Sequence, residues 1–332
     1  MNKKVISCVL ASSFLLCSCN LSTSNQKFNA ILDESNKKVE ENNIKDKSKD
    51  TGTQIKNNIN DENNIKNDKD EKKDTTTSSN INKFKDESNI SSKEKDWFFK
   101  PSKNNEPATI PEDMENALNK YSGYFLGDTS KKHLYLTFDE GYENGYTGKI
   151  LDTLKENKVK AAFFVTAPYI KQNKDLIKRM VDEGHLVCNH SDHHPSMASA
   201  ALKGKESFKK EFTVVEDLYK DITKKDMPKF FRPPMGKYSE LSLKYTEDLG
   251  YKSIFWSFAY HDWDRNKQPS PEKGKEKILN GVHNGSIILL HAVSKTNTEI
   301  LDSVLKELKN NGYEFKTLED LPKNNQLKYK FL

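Results

Sequence analysis

Residues 136–147 read LTFDEGYENGYT, and the reading of this stretch decides the fold. It is entered from an apolar run, His133-Leu134-Tyr135-Leu136-Thr137-Phe138. The run stops at two adjacent carboxylates, Asp139 and Glu140, and Gly141 follows at once. A short apolar run bounded by turn signals reads as a buried strand. Two acids at its end either face solvent in the next loop, or divide a task in which one holds a metal and the other takes a proton.

Outward from this strand, strand and helix signals alternate. A helix is predicted over 146–157, with Ile150, Leu151 and Leu154 on one face, and VKAAFFVT at 159–166 reads as a near-continuous apolar strand. Next come a helix at 174–183 closed by Gly184, a strand at 186–189, and a long helix whose inward face is Phe208, Phe212, Val215, Leu218, Tyr219 and Ile222. A strand at 229–232 ends in Pro233-Pro234, and Ser239 caps a helix closed by Gly250. Strands at 252–258, 286–290 and 313–317 are separated by helices at 271–279 and 297–310. Six or seven strands, each followed by a helix, predict an α/β fold with a mainly parallel sheet, as a (β/α) barrel or an open doubly wound sheet. Asp139, His190, Arg232 and His291 fall just past strand ends, and Asp262 lies in the loop after another. In a barrel those positions share one face. No glycine-rich loop follows any strand, which argues against nucleotide binding.

The chain has 332 residues, 31% charged and only 34% hydrophobic, which is polar for one compact body. The imbalance is local. Asn2-Lys3-Lys4 and the apolar stretch 5–16 read as an export signal, too short for an ordinary membrane span. Leu16-Cys17-Ser18-Cys19 resembles a bacterial lipobox, so Cys19 is expected to be the lipidated first residue of an exported, membrane-anchored protein; a plainly cleaved signal peptide is the alternative. Three of the four cysteines sit in this leader, leaving Cys188 without a partner for a disulfide in the body. Residues 20–95 are Asn-, Lys- and Asp-rich and are expected to be a disordered tether. Their mixed charges indicate no nucleic-acid partner. The folded domain is expected at 96–322, and 323–332 reads as a loose tail.

The second group of chemistry-bearing residues is Asn189-His190-Ser191-Asp192-His193-His194-Pro195. His190 and His194 stand four apart, and on a helical turn they share a face and can bind one cation. His193 is expected to point elsewhere and Asp192 to support the turn. Two histidines and one acid of the Asp139-Glu140 pair suit a catalytic divalent metal, Zn²⁺ first, with Co²⁺ or Mn²⁺ as alternatives. The other acid can take a proton from water. Arg232 can orient that base and hold it ionised. His291 can donate a proton to a leaving group, with Asp262 raising its pKa.

TFDEGYENG, HSDHH, RPPMGKY, WSFAYHDWD and LLH resemble, in order and spacing, the five motifs of NodB-type polysaccharide deacetylases, carbohydrate esterase family 4. The resemblance covers roughly residues 97–322 and implies a distorted (β/α) barrel of about seven strands. The stretches GYENGYTGKILDTL, NHSDHHP, FWSFAYHDW and LLHAVS are similar to the subgroup of peptidoglycan de-N-acetylases that lead to muramic δ-lactam in the spore cortex. The resemblance implies Asp139 as base, Arg232 as its orienting residue, His291 as acid and Asp262 as the acid that tunes it. It also implies His190 and His194 as metal ligands, and Trp263 as a pocket wall. Glu140 stands where most members carry the metal-binding Asp. It ligates with an adjusted backbone, or misses the metal, or Asp139 changes role; a shifted ligand is the expectation.

The implied reaction is hydrolysis of the acetamide of N-acetylmuramic acid in peptidoglycan. It depends on a separate amidase that strips the stem peptides first. Tyr142, Pro233, Tyr238 and Trp263 are the expected substrate contacts, and Tyr146 and Trp256 are further sugar-stacking candidates; each aromatic reads equally as core. Two other functions are carried alongside. One is a deacetylase of N-acetylglucosamine in peptidoglycan or chitin-like oligomers. The other is an inactive wall-glycan-binding lipoprotein.

Overall fold

The computed structural model describes residues 89–322. The expected leader, nearly all of the tether and the 323–332 tail lie outside the described residues. The folded body starts somewhat before the expected boundary at 96. Ser91 O accepts the Leu241 N–H at 3.0 Å, Lys237 Nζ lies 2.6 Å from Glu94 Oε1, and β1 (Lys95–Asp96) pairs with β7 (Lys237–Tyr238). This edge is held by polar contacts, so its sequence looks like the tether it continues.

The central strand is β3 (His133–Glu140). Its pleat sends Leu134, Leu136 and Phe138 to one face and Tyr135 to the other, where each set joins a separate apolar cluster. On one edge β3 pairs with β4 (Ala162–Val165) and β10 (Glu314–Lys316), and on the other with β9 (Ser286–His291). From β4 the sheet continues through β5 (Leu186–Asn189), β6 (Phe230–Phe231) and β8 (Lys252–Ile254) to β2 (Gly123–Tyr124). All these pairings are parallel. Beyond β8, Ser257 N–H donates to Ile287 O, and Phe258 O accepts the Leu289 N–H. The chain leaving β8 is thereby stitched to β9, curling the sheet into the expected distorted barrel. Strands 229–232 and 252–258 are shorter than their apolar runs suggest, because prolines and this crossover interrupt the ladder.

Helices α2 (Thr147–Glu156), α4 (Lys174–Asp182), α6 (Lys205–Thr223), α8 (Pro271–Gly281) and α9 (Lys295–Asn310) lie where the periodicity predicts them. Their buried residues, Ile150, Leu151, Leu154, Ile177, Met180, Val215, Ile300, Leu301 and Val304, pack on the outer face of the sheet with Phe138 and Phe163. Fully burying each large apolar side chain contributes roughly 1.5–3 kcal/mol. Gly184, at φ +77°, ends α4, with its N–H on Val181 O and the following His185 N–H on Met180 O. Ser239 caps α7 (Glu240–Asp248) in a reciprocal pair with Ser242. Helices α1 (Glu112–Lys120), α3 (Ala167–Gln172) and α5 (Met197–Leu202) have no counterpart in the sequence reading. Two of them are only six residues long, too short to show a period. Among the described residues no helix is long and apolar enough to cross a membrane.

Candidate functional site

The C-terminal ends of β3, β5, β6 and β9 bring Asp139, His190, Arg232 and His291 to one end of the barrel, as their sequence positions require. Arg232 is fully buried. Its Nη1 donates to Asp139 Oδ1 at 2.7 Å, its Nε donates to Ile254 O at 3.1 Å, and its guanidinium lies 4.2 Å from the Phe164 ring centroid. Burial alone would raise the Asp139 carboxyl. The charges of Arg232, His190 and His291 outweigh it and hold Asp139 below the ordinary carboxylate value. Oδ1 is committed to Arg232, so Oδ2 is the oxygen left to take a proton.

His291 ends β9 and is the register partner of Asp139 across the parallel β3–β9 ladder. Asp262, fully buried, accepts from both the backbone N–H of His291 (2.8 Å) and its Nδ1 (2.7 Å). Asn297 Nδ2 donates to the same carboxylate at 2.6 Å. Burial lowers the His291 pKa, but the Asp262 charge and hydrogen bond prevail and raise it above the usual histidine value. With Nδ1 engaged, Nε2 carries the proton that can be given away. Asn297 was missed in the sequence; its signal was the first turn of a helix directly after LLH, where a side chain can reach back to the strand end.

His190 and His194 do come together, with ring centroids 4.9 Å apart, but not on a helical turn. Segment 190–194 is a loop in which Ser191 and His194 take left-handed φ values of 72° and 56°. Asn189 Oδ1 accepts the Ser191 N–H, and Ser191 Oγ accepts the His194 N–H, which holds this strained path. His193 is turned away onto Glu211, as expected.

Glu140 is where expectation and structure part. It is the last residue of β3, so the pleat points it opposite to Asp139. Its Oε1 accepts from Thr147 at 3.4 Å, its Oε2 has no hydrogen-bond partner, and Tyr169 bridges Thr147 and Glu143 beside it. Burial, the Glu143 charge and, more weakly, Asp139 push its carboxyl well above the ordinary value, against the Thr147 hydrogen bond. Among the described residues no group of three or more His, Cys, Asp or Glu is arranged to hold a metal ion. The imidazole half of the expected metal set nevertheless fits. His190 Nδ1 donates to Arg232 O at 2.8 Å, leaving the unprotonated Nε2 lone pair 3.6 Å from Asp139 Oδ2. Burial holds His190 down at about 4 and also lowers His194, so both rings are neutral at pH 7. The Glu140 carboxylate does not fit the set.

The expected sugar contacts divide. Tyr142 (43% exposed) and Trp263 (53%) lie open on the loops that follow β3 and Asp262. Tyr238 is a correction: it is fully buried against Phe255 in the cluster around Trp97. It sits on β7, whose outward position its neighbour Lys237 takes. Pro233 is buried as well and leads into the tight turn Pro234–Gly236, where its carbonyl accepts the Gly236 N–H. Trp256 is half-buried, 5.6 Å from the Arg232 guanidinium, and Tyr146 is half-buried ahead of α2. The histidines left without a role are packing residues or surface ones. His185 accepts the Ala161 N–H, His283 accepts the Ala108 N–H, His133 lies 3.5 Å from Glu314, and His261 packs tilted against Trp263, ring centroids 4.4 Å apart.

Three comparisons bear on this arrangement. The family described as polysaccharide deacetylase matches residues 126–254. The peptidoglycan-N-acetylmuramic acid deacetylase PdaA of Bacillus subtilis is 44% identical over 226 residues, 68% of this chain and 84% of that protein. The solved structure of B. subtilis PdaA, a family 4 carbohydrate esterase, superposes with a TM-score of 0.68 at 41% identity, covering 70% of this chain and 98% of that one. The peptidoglycan-N-acetylglucosamine deacetylase PgdA of Listeria monocytogenes is 34% identical over 194 residues, 58% of this chain and 39% of that protein.

Proposed function

The chain belongs to the polysaccharide deacetylases of carbohydrate esterase family 4, and from that premise we propose that it hydrolyses the acetamide of N-acetylmuramic acid in peptidoglycan. The observation that carries this reading is the pairing of an Arg232-held carboxylate with an Asp262-held imidazole across one ladder, a base and an acid at the ends of neighbouring strands. A glycan-binding role needs neither. The muramic preference is supported by the higher identity and fuller coverage of the muramic acid deacetylase relative than of the glucosamine one.

In this mechanism Asp139, ionised beside Arg232, takes a proton from water through Oδ2 as the oxygen attacks the acetamide carbonyl carbon. The C–N bond breaks as His291 Nε2 gives its proton to the departing nitrogen. Asp262 and Asn297 keep the ring oriented throughout. The products are acetate and the free amine. His190 and His194 are the residues that would hold a divalent ion, Zn²⁺ in this reading, whose chemistry is Lewis-acid polarisation of the carbonyl. Tyr142 and Trp263 offer apolar faces to the sugar. The freed amine then stands near the lactyl carboxyl and can condense with it, the carboxyl C–O bond breaking and water leaving, to give the δ-lactam of spore cortex. Export and anchoring through Cys19 complete the reading, setting the body over the wall.

The test is acetate release by the full chain from peptidoglycan stripped of stem peptides, before and after chelation and with Zn²⁺ restored. Release with mass loss on muramic residues supports the reading. Release from glucosamine residues alone replaces it with the glucosamine deacetylase. Folded protein that binds glycan and releases nothing under any metal overturns the enzyme.

A further inference from the structure

The loop after Asp262 is a built structure. Gln268 Nε2 donates to the carbonyls of Asp262 (2.6 Å) and Asp264 (2.8 Å), and Ser294 Oγ donates to Gln268 Oε1 at 2.6 Å. Within it Asp264 O accepts the Lys267 N–H and Asp264 Oδ1 the Asn266 N–H, closing a tight turn. Arg265 is carried in that turn. Its guanidinium lies 5.3 Å from the centre of the Tyr142 ring, and its Nη1 is 3.4 Å from Asn144 Oδ1. Asn144 in turn donates to Val293 O at 3.0 Å. The loops that follow Asp139, Asp262 and His291 therefore meet at Arg265, beside the exposed ring of Tyr142 and two residues along the chain from the exposed Trp263. No carboxylate pairs with Arg265 among the described residues. With Nη1 directed at Asn144 and the guanidinium beside the Tyr142 ring, the Nε and Nη2 edge has no hydrogen-bond partner among the described residues and offers N–H groups to a carboxylate.

We infer that Arg265 is a specificity-determining residue that binds the free lactyl carboxylate of the muramic sugar, and so selects strands whose stem peptide has already been removed. The inference rests on the proposed muramic acid deacetylation. A muramic residue bearing its peptide has that carboxyl tied up as a neutral amide. Removal of the peptide leaves an anion, and an arginine reads that difference as a charge. Glucosamine has no lactyl group at all. The reaction that must precede this one is hydrolysis of the amide joining peptide to lactyl carboxyl. Arg265 would enforce that order through recognition, with no contact to the reacting atoms.

The experiment uses the full chain and two peptidoglycan preparations, one bearing stem peptides and one stripped of them. Acetate release is followed against substrate concentration at low and high salt for wild type, Arg265→Gln and Arg265→Lys. Wild type is expected to show the lower KM on stripped strands, weakening as salt screens the contact. Arg265→Gln is expected to raise that KM roughly tenfold, the size of a partly screened charge-assisted pair, with a much smaller fall in kcat. It should also lose the salt dependence, and Arg265→Lys should restore part of both. Unchanged discrimination and salt dependence in Arg265→Gln would overturn the role of Arg265 while leaving the muramic reading intact. Wild type that releases no acetate from muramic residues in either preparation would remove the reading itself, and the inference with it.

Discussion

Arg232 Nη1 stands 2.7 Å from Asp139 Oδ1, and neither side chain has appreciable access to water: Arg232 is 0% and Asp139 8% exposed. Among the described residues Arg232 has no other acidic partner, so its buried charge depends on Asp139. Replacing Asp139 by Asn is expected to lower acetate release about 100- to 10,000-fold, as loss of a general base does. Arg232→Met should destabilise the fold by about 3–5 kcal/mol, the cost of leaving a buried charge uncompensated. Urea denaturation of Arg232→Met against Asp139→Asn/Arg232→Met checks this, and the double variant should be the more stable of the two.

The Asp262–His291 contact predicts the alkaline side of the pH profile. His291 must be protonated to act as acid, and its pKa is raised by Asp262. Activity should therefore persist above the ordinary histidine value and fall as pH rises through the raised one. Asp262→Asn removes the charge and should move that limb to lower pH, costing more activity at pH 8 than at pH 6. Profiles of kcat/KM against pH for the two proteins decide it.

Glu140 is expected to be dispensable for metal binding. Calorimetric titration with Zn²⁺ should give the same affinity for wild type and Glu140→Gln, whereas His190→Ala and His194→Ala should each lose it. The carboxyl also carries a stability signature. Its folded pKa is raised well above the ordinary 4.5, so the native state holds a proton that the unfolded chain gives up. Its contribution is whole below about 4.5 and lost as pH rises through the raised value. Glu140→Gln should flatten that loss, gaining stability relative to wild type at pH 8 in denaturant midpoints.

His185 acts in the opposite sense. Burial lowers its pKa to about 4 from 6.5, and its Nδ1 accepts the Ala161 N–H only while unprotonated. The unfolded chain takes up a proton first as pH falls, so the stability it contributes is present above 6.5 and disappears towards 4. His190 adds the same trend. His185→Asn should reduce the drop in denaturation midpoint between pH 7 and pH 5 without abolishing it.

The parallel α/β sheet was legible because its strands are continuous apolar runs and its helices long amphipathic ones, whereas the runs alone left an open doubly wound sheet possible and the barrel came from the motif resemblance. The sequence carried Asp139, Arg232, Asp262 and His291 because each sits at a strand end or in the loop beyond one. It misplaced Glu140 because the strand was drawn to stop at Phe138. With β3 running through Glu140, the two-residue period sends adjacent acids to opposite faces, and no change of side-chain length alters that. Tyr238 went wrong for a different reason: aromatic residues near a site look alike whether they stack on sugar or on Phe255. The histidine loop was found by composition but given the wrong conformation, since left-handed φ at Ser191 and His194 leaves no mark in residue type.

Asp139 and His291 are opposite rungs of the β3–β9 ladder. Their backbones are kept apart by the distance between neighbouring strands, roughly 4.8 Å, and by hydrogen bonds that no loop supplies. The loops after Asp139, Asp262 and His291 are thus free to lengthen, shorten or change sequence without retuning the base and the acid. A lineage, or an engineer, can exchange residues 263–267, between the fixed Asp262 and Gln268, for a turn suited to another sugar and inherit the hydrolytic pair unaltered.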